Sequence, residues 1–342
     1  MPDIAPKKIA YLFGAGATHA ELADLYPALI EQDKGLLISQ VSKRVIDRAR
    51  RNRDYLKGLE TVSAATGSLN IELLITLIES SKIHGWEEKT RFIRELVQND
   101  IEGILTKPRV RSFYLHKALL ELHKRLSKKR PEQLIGVISL NYDDVLDRAF
   151  EEIYYKPNYC FSLGAFGEPP SLIPLLKLHG SFNWVRQRIR GKQRTIEIIP
   201  MGATKNYLHA PYGFIWSRAM QILIECDVLR VIGCSLSQND VHLIDLLFKA
   251  HLERSTAFEM EIVDSQEAGE RIRQNYGFFR NIRTLTEIRR DYEFPDVLSG
   301  EKGGLVSEPR PSNAFKMWLI SKTLSLFEGN MNRTKYLKMI FK

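Results

Sequence analysis

The chain has 342 residues but only three cysteines, Cys160, Cys226 and Cys234. None is spaced as Cys-x-x-Cys, so neither a disulfide framework nor a four-thiolate zinc site can be assembled, and no metal is expected. The eight histidines include no His-Glu-x-x-His pair. There is also no Gly-x-x-x-x-Gly-Lys-Ser/Thr loop, which removes the simplest metalloprotease and ATPase readings. No apolar stretch approaches the roughly 18 residues of a spanning helix, and Met1 to Lys8 carries no apolar signal core. The expectation is therefore a cytoplasmic protein with no membrane partner.

Apolar residues make up 44% of the chain and charged residues 27%. That is ordinary for a globular protein, and the length suits one large α/β domain with insertions or two modest domains. The net charge is +9, carried largely by Arg44 to Lys57, His123 to Arg130 and Arg186 to Arg194. Two of these runs lie in amphipathic helical patterns, so the plain reading is solvated helix faces and a loop. Nucleic acid stays open as a partner through them.

Lys8 to Phe13 is a short apolar run that ends in Gly14-Ala15-Gly16-Ala17-Thr18, the pattern of a buried strand turning into a helix. From Glu21 to Arg130 the strand signal vanishes. Gly35 to Leu59, Ile71 to Ile83, Trp86 to Leu105 and Val110 to Lys129 repeat apolar residues at helical spacing, which predicts a helical insertion. Strands resume at Leu134 to Leu140, Leu175 to Leu178, Thr195 to Ile199, Val228 to Ile232, Glu259 to Val263 and Thr284 to Ile288. Helices are predicted at Tyr212 to Glu225, Asp240 to Leu252 and Asn313 to Phe327. The alternation predicts an α/β fold of parallel-sheet, Rossmann-like type, with ligand chemistry at the carboxyl ends of the strands.

Five short polar motifs sit at such ends. The Gly14-Ala15-Gly16 turn permits close backbone approach to a pyrophosphate, and the amides of the following helix start add partial positive charge. Thr18 can cap the helix or donate to phosphate. In Ser139-Leu140-Asn141-Tyr142-Asp143-Asp144, Asn141 can bind a ribose or a water, whereas Asn141 or Asp143 can equally be a helix cap. In Lys177-Leu178-His179-Gly180-Ser181, His179 is of a residue type suited to general-base work near neutral pH, although a strand-end histidine can also be structural. Gly233-Cys234-Ser235-Leu236-Ser237 opens a small-residue turn suited to phosphate or ribose, through Gly233 and Ser235. Asp264 follows Glu259 to Val263, where a carboxylate can grip ribose hydroxyls.

In this order, GAGAT, SLNYDD, KLHGS, GCSLS and IVD resemble the sirtuin (silent information regulator-like) family, and specifically its zinc-less bacterial branch of antiphage-defence NAD⁺ hydrolases. The resemblance implies that Asn141 and His179 are the catalytic pair. It implies that Gly14, Ala15, Gly16, Thr18, Asp143, Gly233, Ser235 and Asp264 hold NAD⁺, which is the substrate. Protein-deacylating sirtuins follow the glycine loop with Gly-Ile-x-x-Phe-Arg and carry a four-cysteine zinc module. This chain has His19-Ala20-Glu21 and then the helical insertion.

The resemblance therefore implies cleavage of the nicotinamide-ribosyl bond by water, giving nicotinamide and ADP-ribose, in an immune effector that depletes NAD⁺. It also implies control by assembly: a homo-oligomer, with a hexameric translocase-type ATPase or an Argonaute-like protein as partner. The rival readings are a deacylase or ADP-ribosyl transferase, and a non-enzymatic NAD or ADP-ribose sensor. The expected organisation is a Rossmann-like NAD-binding core from residues 1–20 and 131–295, a helical insertion subdomain over 21–130, and a loop, helix and basic tail over 296–342.

Overall fold

Lys7–Phe13 forms β1, whose buried apolar residues sit at the centre of a six-stranded sheet. The computed structural model describes residues 5–26, 30, 34–51, 71–82, 84–105, 114–126, 132–153, 156–167, 172–189, 192–194, 207–237, 240–254, 256, 259–277, 279, 281–284, 315–316 and 318–319. The predicted strand at Thr195 to Ile199 lies outside them. In chain order the helices are α1 (Ala15–Leu25), α2 (Ile38–Ala49), α3 (Ile71–Ser81), α4 (Trp86–Leu105), α5 (Tyr114–Leu126), α6 (Val145–Glu152), α7 (Tyr212–Glu225), α8 (Val241–Glu253) and α9 (Gln266–Asn275). The remaining strands are β2 (Glu132–Ser139), β3 (Leu175–Lys177), β4 (Gln187–Ile189), β5 (Lys192–Arg194), β6 (Val228–Ile232), β7 (Glu259–Val263) and β8 (Ile282–Thr284).

The sheet order is β3-β2-β1-β6-β7-β8, and every pairing within it is parallel. This is a parallel-sheet, Rossmann-like α/β fold. A parallel sheet must be covered on both faces, and two separate apolar clusters do so. One face packs Leu12, Leu229, Val231 and Ile262 against Ile215, Ala219, Ile222 and Leu223 of α7 and Leu243 and Leu247 of α8. The other packs Ile9, Tyr11 and Phe13 against Leu115, Ala118, Leu119 and Leu122 of α5, with Phe315, Trp318 and Leu319 added from the C-terminal region. One layer of the core thus draws α5 from within the 21–130 stretch. Helices α2, α3 and α4 build a third cluster, in which Val45, Ile75, Ile78 and Ile93 meet Tyr142 and Phe182.

Register explains how distant motifs come together. Lys177 pairs with Ser139, Ser139 with Phe13, Phe13 with Ile232, and Ile232 with Val263. The strands therefore end level, and the residues just beyond those ends emerge along one edge.

The basic stretches are partly committed inside the fold. Arg44 bonds Asp100 and the Gly35 carbonyl, Arg48 pairs with Asp100, and His123 meets the Tyr11 hydroxyl at 2.9 Å. No helix among the described residues is long and apolar enough to cross a membrane.

Arg230 is the chemical exception in β6, buried in the middle of the strand. Its guanidinium makes a two-pronged contact with Glu132 at 2.9 and 3.0 Å and a third with Glu261. Removing the cation takes the two-pronged partner from the largely buried Glu132 and leaves Glu261 to Arg283, a loss of about 3–5 kcal/mol. Arg230→Ala should therefore lower the urea midpoint strongly with an unchanged slope; an unchanged midpoint would show that the network contributes nothing.

Candidate active site

A cleft of about 590 Å³ runs along the carboxyl edge of the sheet. It is lined from the loops after β1, β2, β3, β6 and β7 by Gly14, Ala15, Gly16, Asn141, Asp143, His179, Gly233, Ser235 and Asp264. Nine of the ten residues singled out from the sequence thus share one cavity. The tenth, Thr18, is buried behind it, where its hydroxyl donates to Asp143 Oδ2 at 3.2 Å and accepts from Asn141 Nδ2 at 3.3 Å.

The glycines serve a tighter contact than a phosphate turn alone demands. A Cβ on Gly14 would fall 2.7 Å from Cys234 Cα, and one on Gly16 2.7 Å from the Gly233 carbonyl. Gly233 itself has φ +56°, and a Cβ there would reach 2.0 Å from Ala17 N. The β1–α1 turn and the β6 loop interlock with no room for a side chain. Hydrogen bonds seal the contact: Gly14 N–H donates to Ile232 O at 3.1 Å and Gly16 N–H to Gly233 O at 2.8 Å, while Ala17 N–H donates to Gly14 O. Those three amides are held by carbonyls, so the turn offers the cleft close approach and the helix dipole rather than three amide donors.

Asn141 ties the two central loops together, since its amide nitrogen donates to Gly14 O at 3.1 Å as well as to Thr18. With the nitrogen committed, Oδ1 is the atom that can accept from a water or a hydroxyl. Asp143 also accepts from Val145 N, the first residue of α6, at 3.1 Å, while the N-cap position itself belongs to Asp144. Burial pushes its carboxyl above the ordinary value, against the opposing pull of Lys177.

Beneath this loop Lys177 is buried with Nζ 2.9 Å from Asp147, and it also contacts the Ser181 hydroxyl and the Asp143 carbonyl. Burial works against the Asp147 charge, yet Lys177, Tyr159 and Asn183 outweigh it and hold the carboxyl below its ordinary value. The loops after β2 and β3 are thereby pinned to each other.

His179 stands between two oxygens. Its Nδ1 is 3.2 Å from the Leu140 carbonyl and its Nε2 3.3 Å from Asp240 Oδ2. The Tyr142 ring lies 5.9 Å from the imidazole and stacks on Phe182. At the far end of the cleft, Asp264 Oδ1 accepts from Ser265 N at 2.7 Å. The facing wall comes from the helical stretch: Leu36, Leu37, Ile38, Val41, Glu72 and Ile101.

Four polar residues were missed from sequence. Asp240 is hidden as a helix-start aspartate, and Glu72 belongs to α3, far off in the chain. Arg271 lies on the sparsely apolar α9, and Lys177 sits inside a quoted motif without a role. The first three line the cleft. Among the described residues, no group of His, Cys, Asp and Glu is placed to hold a metal ion.

No family model matches this chain, nor does any curated protein. Among solved structures, it is similar to a Sir2 enzyme at 14% identity, covering 94% of both chains with a TM-score of 0.40. A Sir2 homologue mutant in complex with 2′-O-acetyl ADP-ribose is 15% identical over 75% of this chain and 79% of that one, with a TM-score of 0.36. A further Sir2 homologue mutant, in complex with ADP-ribose, is 17% identical over 76% and 81%, with a TM-score of 0.31. Likenesses this loose assign no family; the strand order and parallel pairing carry the fold class.

Asp264 gives the site a pH signature. Burial raises its carboxyl above the ordinary 3.8, with the Ser265 amide and Arg271 pulling the other way. A group raised on folding supports stability below its unfolded value and loses that support as pH rises through the folded one. At neutral pH the ionised carboxylate therefore costs stability. Asp264→Asn keeps an oxygen for the Ser265 amide and should raise the melting temperature at neutral pH, with the gain vanishing in acid below 3.8. A less stable Asn variant at neutral pH would contradict this.

Proposed function

We propose that this chain is an NAD⁺ hydrolase that cleaves the nicotinamide-ribosyl bond to give nicotinamide and ADP-ribose. The observation that carries the reading is the single cleft in which Asn141 and His179 stand at one end and Ser235 and Asp264 at the other. From β3 to β7 is four strand spacings, roughly 19 Å at about 4.8 Å each, and a dinucleotide lies across the strand ends of such a sheet. The motif order from Gly14 to Asp264 supports the same assignment, with NAD⁺ as substrate and no metal required.

In this reading Asp264 accepts from the adenosine-ribose hydroxyls, while Gly14, Ala15, Gly16 and Gly233 let the pyrophosphate approach the backbone, and Ser235 contributes a hydroxyl. The nicotinamide ribose lies by Asn141, whose Oδ1 holds the attacking water or a ribose hydroxyl. The bond from C1′ to the ring nitrogen breaks with its electron pair passing to nicotinamide, which leaves neutral. Water bonds to C1′, and its proton goes to His179. The apolar wall of Leu36, Leu37, Ile38 and Val41 limits water around an oxocarbenium-like transition state.

The immune-effector role, with NAD⁺ depletion as its outcome, is proposed with the hydrolysis. So is assembly, whether a homo-oligomer or a complex with a hexameric translocase-type ATPase or Argonaute-like partner. The apolar faces of α2, α3 and α4 bury largely against one another. An exposed apolar stripe lies instead on α8, where Val241, Phe248 and Leu252 are 63%, 41% and 64% exposed, and a contiguous apolar patch is a common contact surface.

Asn141→Ala and His179→Ala should abolish nicotinamide release while leaving NAD⁺ affinity within roughly tenfold, about 1.4 kcal/mol. Asp264→Ala should weaken binding instead, because a ribose clamp acts on ground and transition states alike. Calorimetry beside a nicotinamide-release assay separates the two. Wild-type turnover in His179→Ala would end its catalytic assignment.

A further inference from the structure

His179 receives the proton in the proposed reaction, and its ring has an oxygen at each nitrogen. The Leu140 carbonyl, 3.2 Å from Nδ1, can only accept, so Nδ1 carries a hydrogen and donates it. In a neutral ring of that tautomer Nε2 carries the lone pair, and it is Nε2 that gains a hydrogen in the imidazolium. It faces Asp240 Oδ2 at 3.3 Å, and the two side chains are 7% and 12% exposed. A carboxylate at this distance repels a lone pair on Nε2 and attracts a cationic N–H there, so it favours the imidazolium.

The position of Asp240 is fixed by the fold rather than by the histidine. It is the N-cap of α8, and its Oδ1 accepts from Leu243 N at 3.3 Å. Its own N–H donates to Ser237 O at 3.0 Å, and its carbonyl accepts from Ile244 N at 3.1 Å. One oxygen therefore holds the helix start while the other is in contact with His179. The residue is tied at three points, one on its carboxylate and two on its backbone, before the imidazole meets it, which is what preorganisation of a charge requires.

We propose that Asp240 is the positioning residue of His179: together with the Leu140 carbonyl it holds the ring between two oxygens, and it stabilises the imidazolium formed in turnover. This rests on the hydrolysis reading above. In the step itself, water gives its proton to Nε2 as its oxygen bonds to C1′. Asp240 stays ionised, and the proton leaves later from Nε2 to solvent, so no bond to Asp240 forms or breaks. The arrangement resembles the use of a fixed carboxylate to orient a catalytic histidine in hydrolases, although here it meets the proton-accepting nitrogen rather than the other one.

The test exploits the double duty of the side chain. Asparagine caps a helix about as well as aspartate, so Asp240→Asn keeps the α8 cap and removes only the charge, while Asp240→Ala removes both. Each is compared with the full-length wild type in steady-state nicotinamide release, in thermal melting, and in ¹⁵N NMR of the His179 ring at one neutral pH without nucleotide. Asp240→Asn should lose about tenfold or more in kcat with KM within about threefold, keep the wild-type melting temperature, and move the His179 Nε2 resonance. Asp240→Ala should add a fall in melting temperature. Asp240→Ser, an uncharged cap, repeats the comparison if the Asn variant folds poorly. An unchanged kcat, a loss confined to KM, or an Nε2 resonance that stays in place overturns the proposal. Should the wild type release no nicotinamide, the hydrolysis reading fails, and the ring resonance, which needs no turnover, alone decides whether Asp240 holds His179.

Discussion

The cleft depends on one steric constraint: the closeness of the β1–α1 turn to the loop after β6. At Gly14, Gly16 and Gly233 the backbones approach until a single methyl group on any of them would overlap main-chain atoms. That contact sets the start of α1, and α1 carries Thr18, whose hydroxyl braces Asn141 and Asp143. Asn141 closes the loop by donating back to Gly14. A displacement at the glycines would therefore pass directly to the residue proposed to hold water at C1′.

Around this contact the site is held by charges placed out of water. Lys177, pinned by Asp147, supports the loops that carry Asn141 and His179, and Asp240 couples the start of α8 to the imidazole. Such groups are expensive to bury unless they are paired. The lowered carboxyl of Asp147 and the raised carboxyls of Asp143 and Asp264 show the two outcomes: full pairing in the support, incomplete pairing where the cleft is. A binding site keeps unmatched charge that its ligand can satisfy, at some cost to stability.

Much of the frame is legible in the sequence because it depends on local periodicity. Val228–Ile232, apolar but for Arg230, and the partly alternating Glu259–Val263 form strands with those ends, and Trp86–Leu105 and Tyr212–Glu225 carry full helical faces. Helix α9 is illegible for the complementary reason: only Ala268, Gly269 and Ile272 are buried, too few to mark a face. The last strand among the described residues is Ile282–Thr284, and the predicted Thr284 to Ile288 lies, beyond Thr284, outside them. In the site, residues at strand ends could be picked out because each follows an apolar run. Asp240 and Glu72 could not, since their roles arise only when α8 and α3 fold over the cleft. The use of the glycine amides was also hidden: sequence shows where a turn is tight, but not which carbonyl its N–H groups find.

Cleavage of a dinucleotide by water in this cleft is the central proposal, and the fate of the two halves of the substrate tests it most directly. Purified protein, incubated with NAD⁺ labelled in the adenosine half, should release nicotinamide and yield free labelled ADP-ribose in equal amount, with neither product formed by His179→Ala. Label transferred to an acetyl group or to a macromolecule, or NAD⁺ bound and recovered intact, would contradict it.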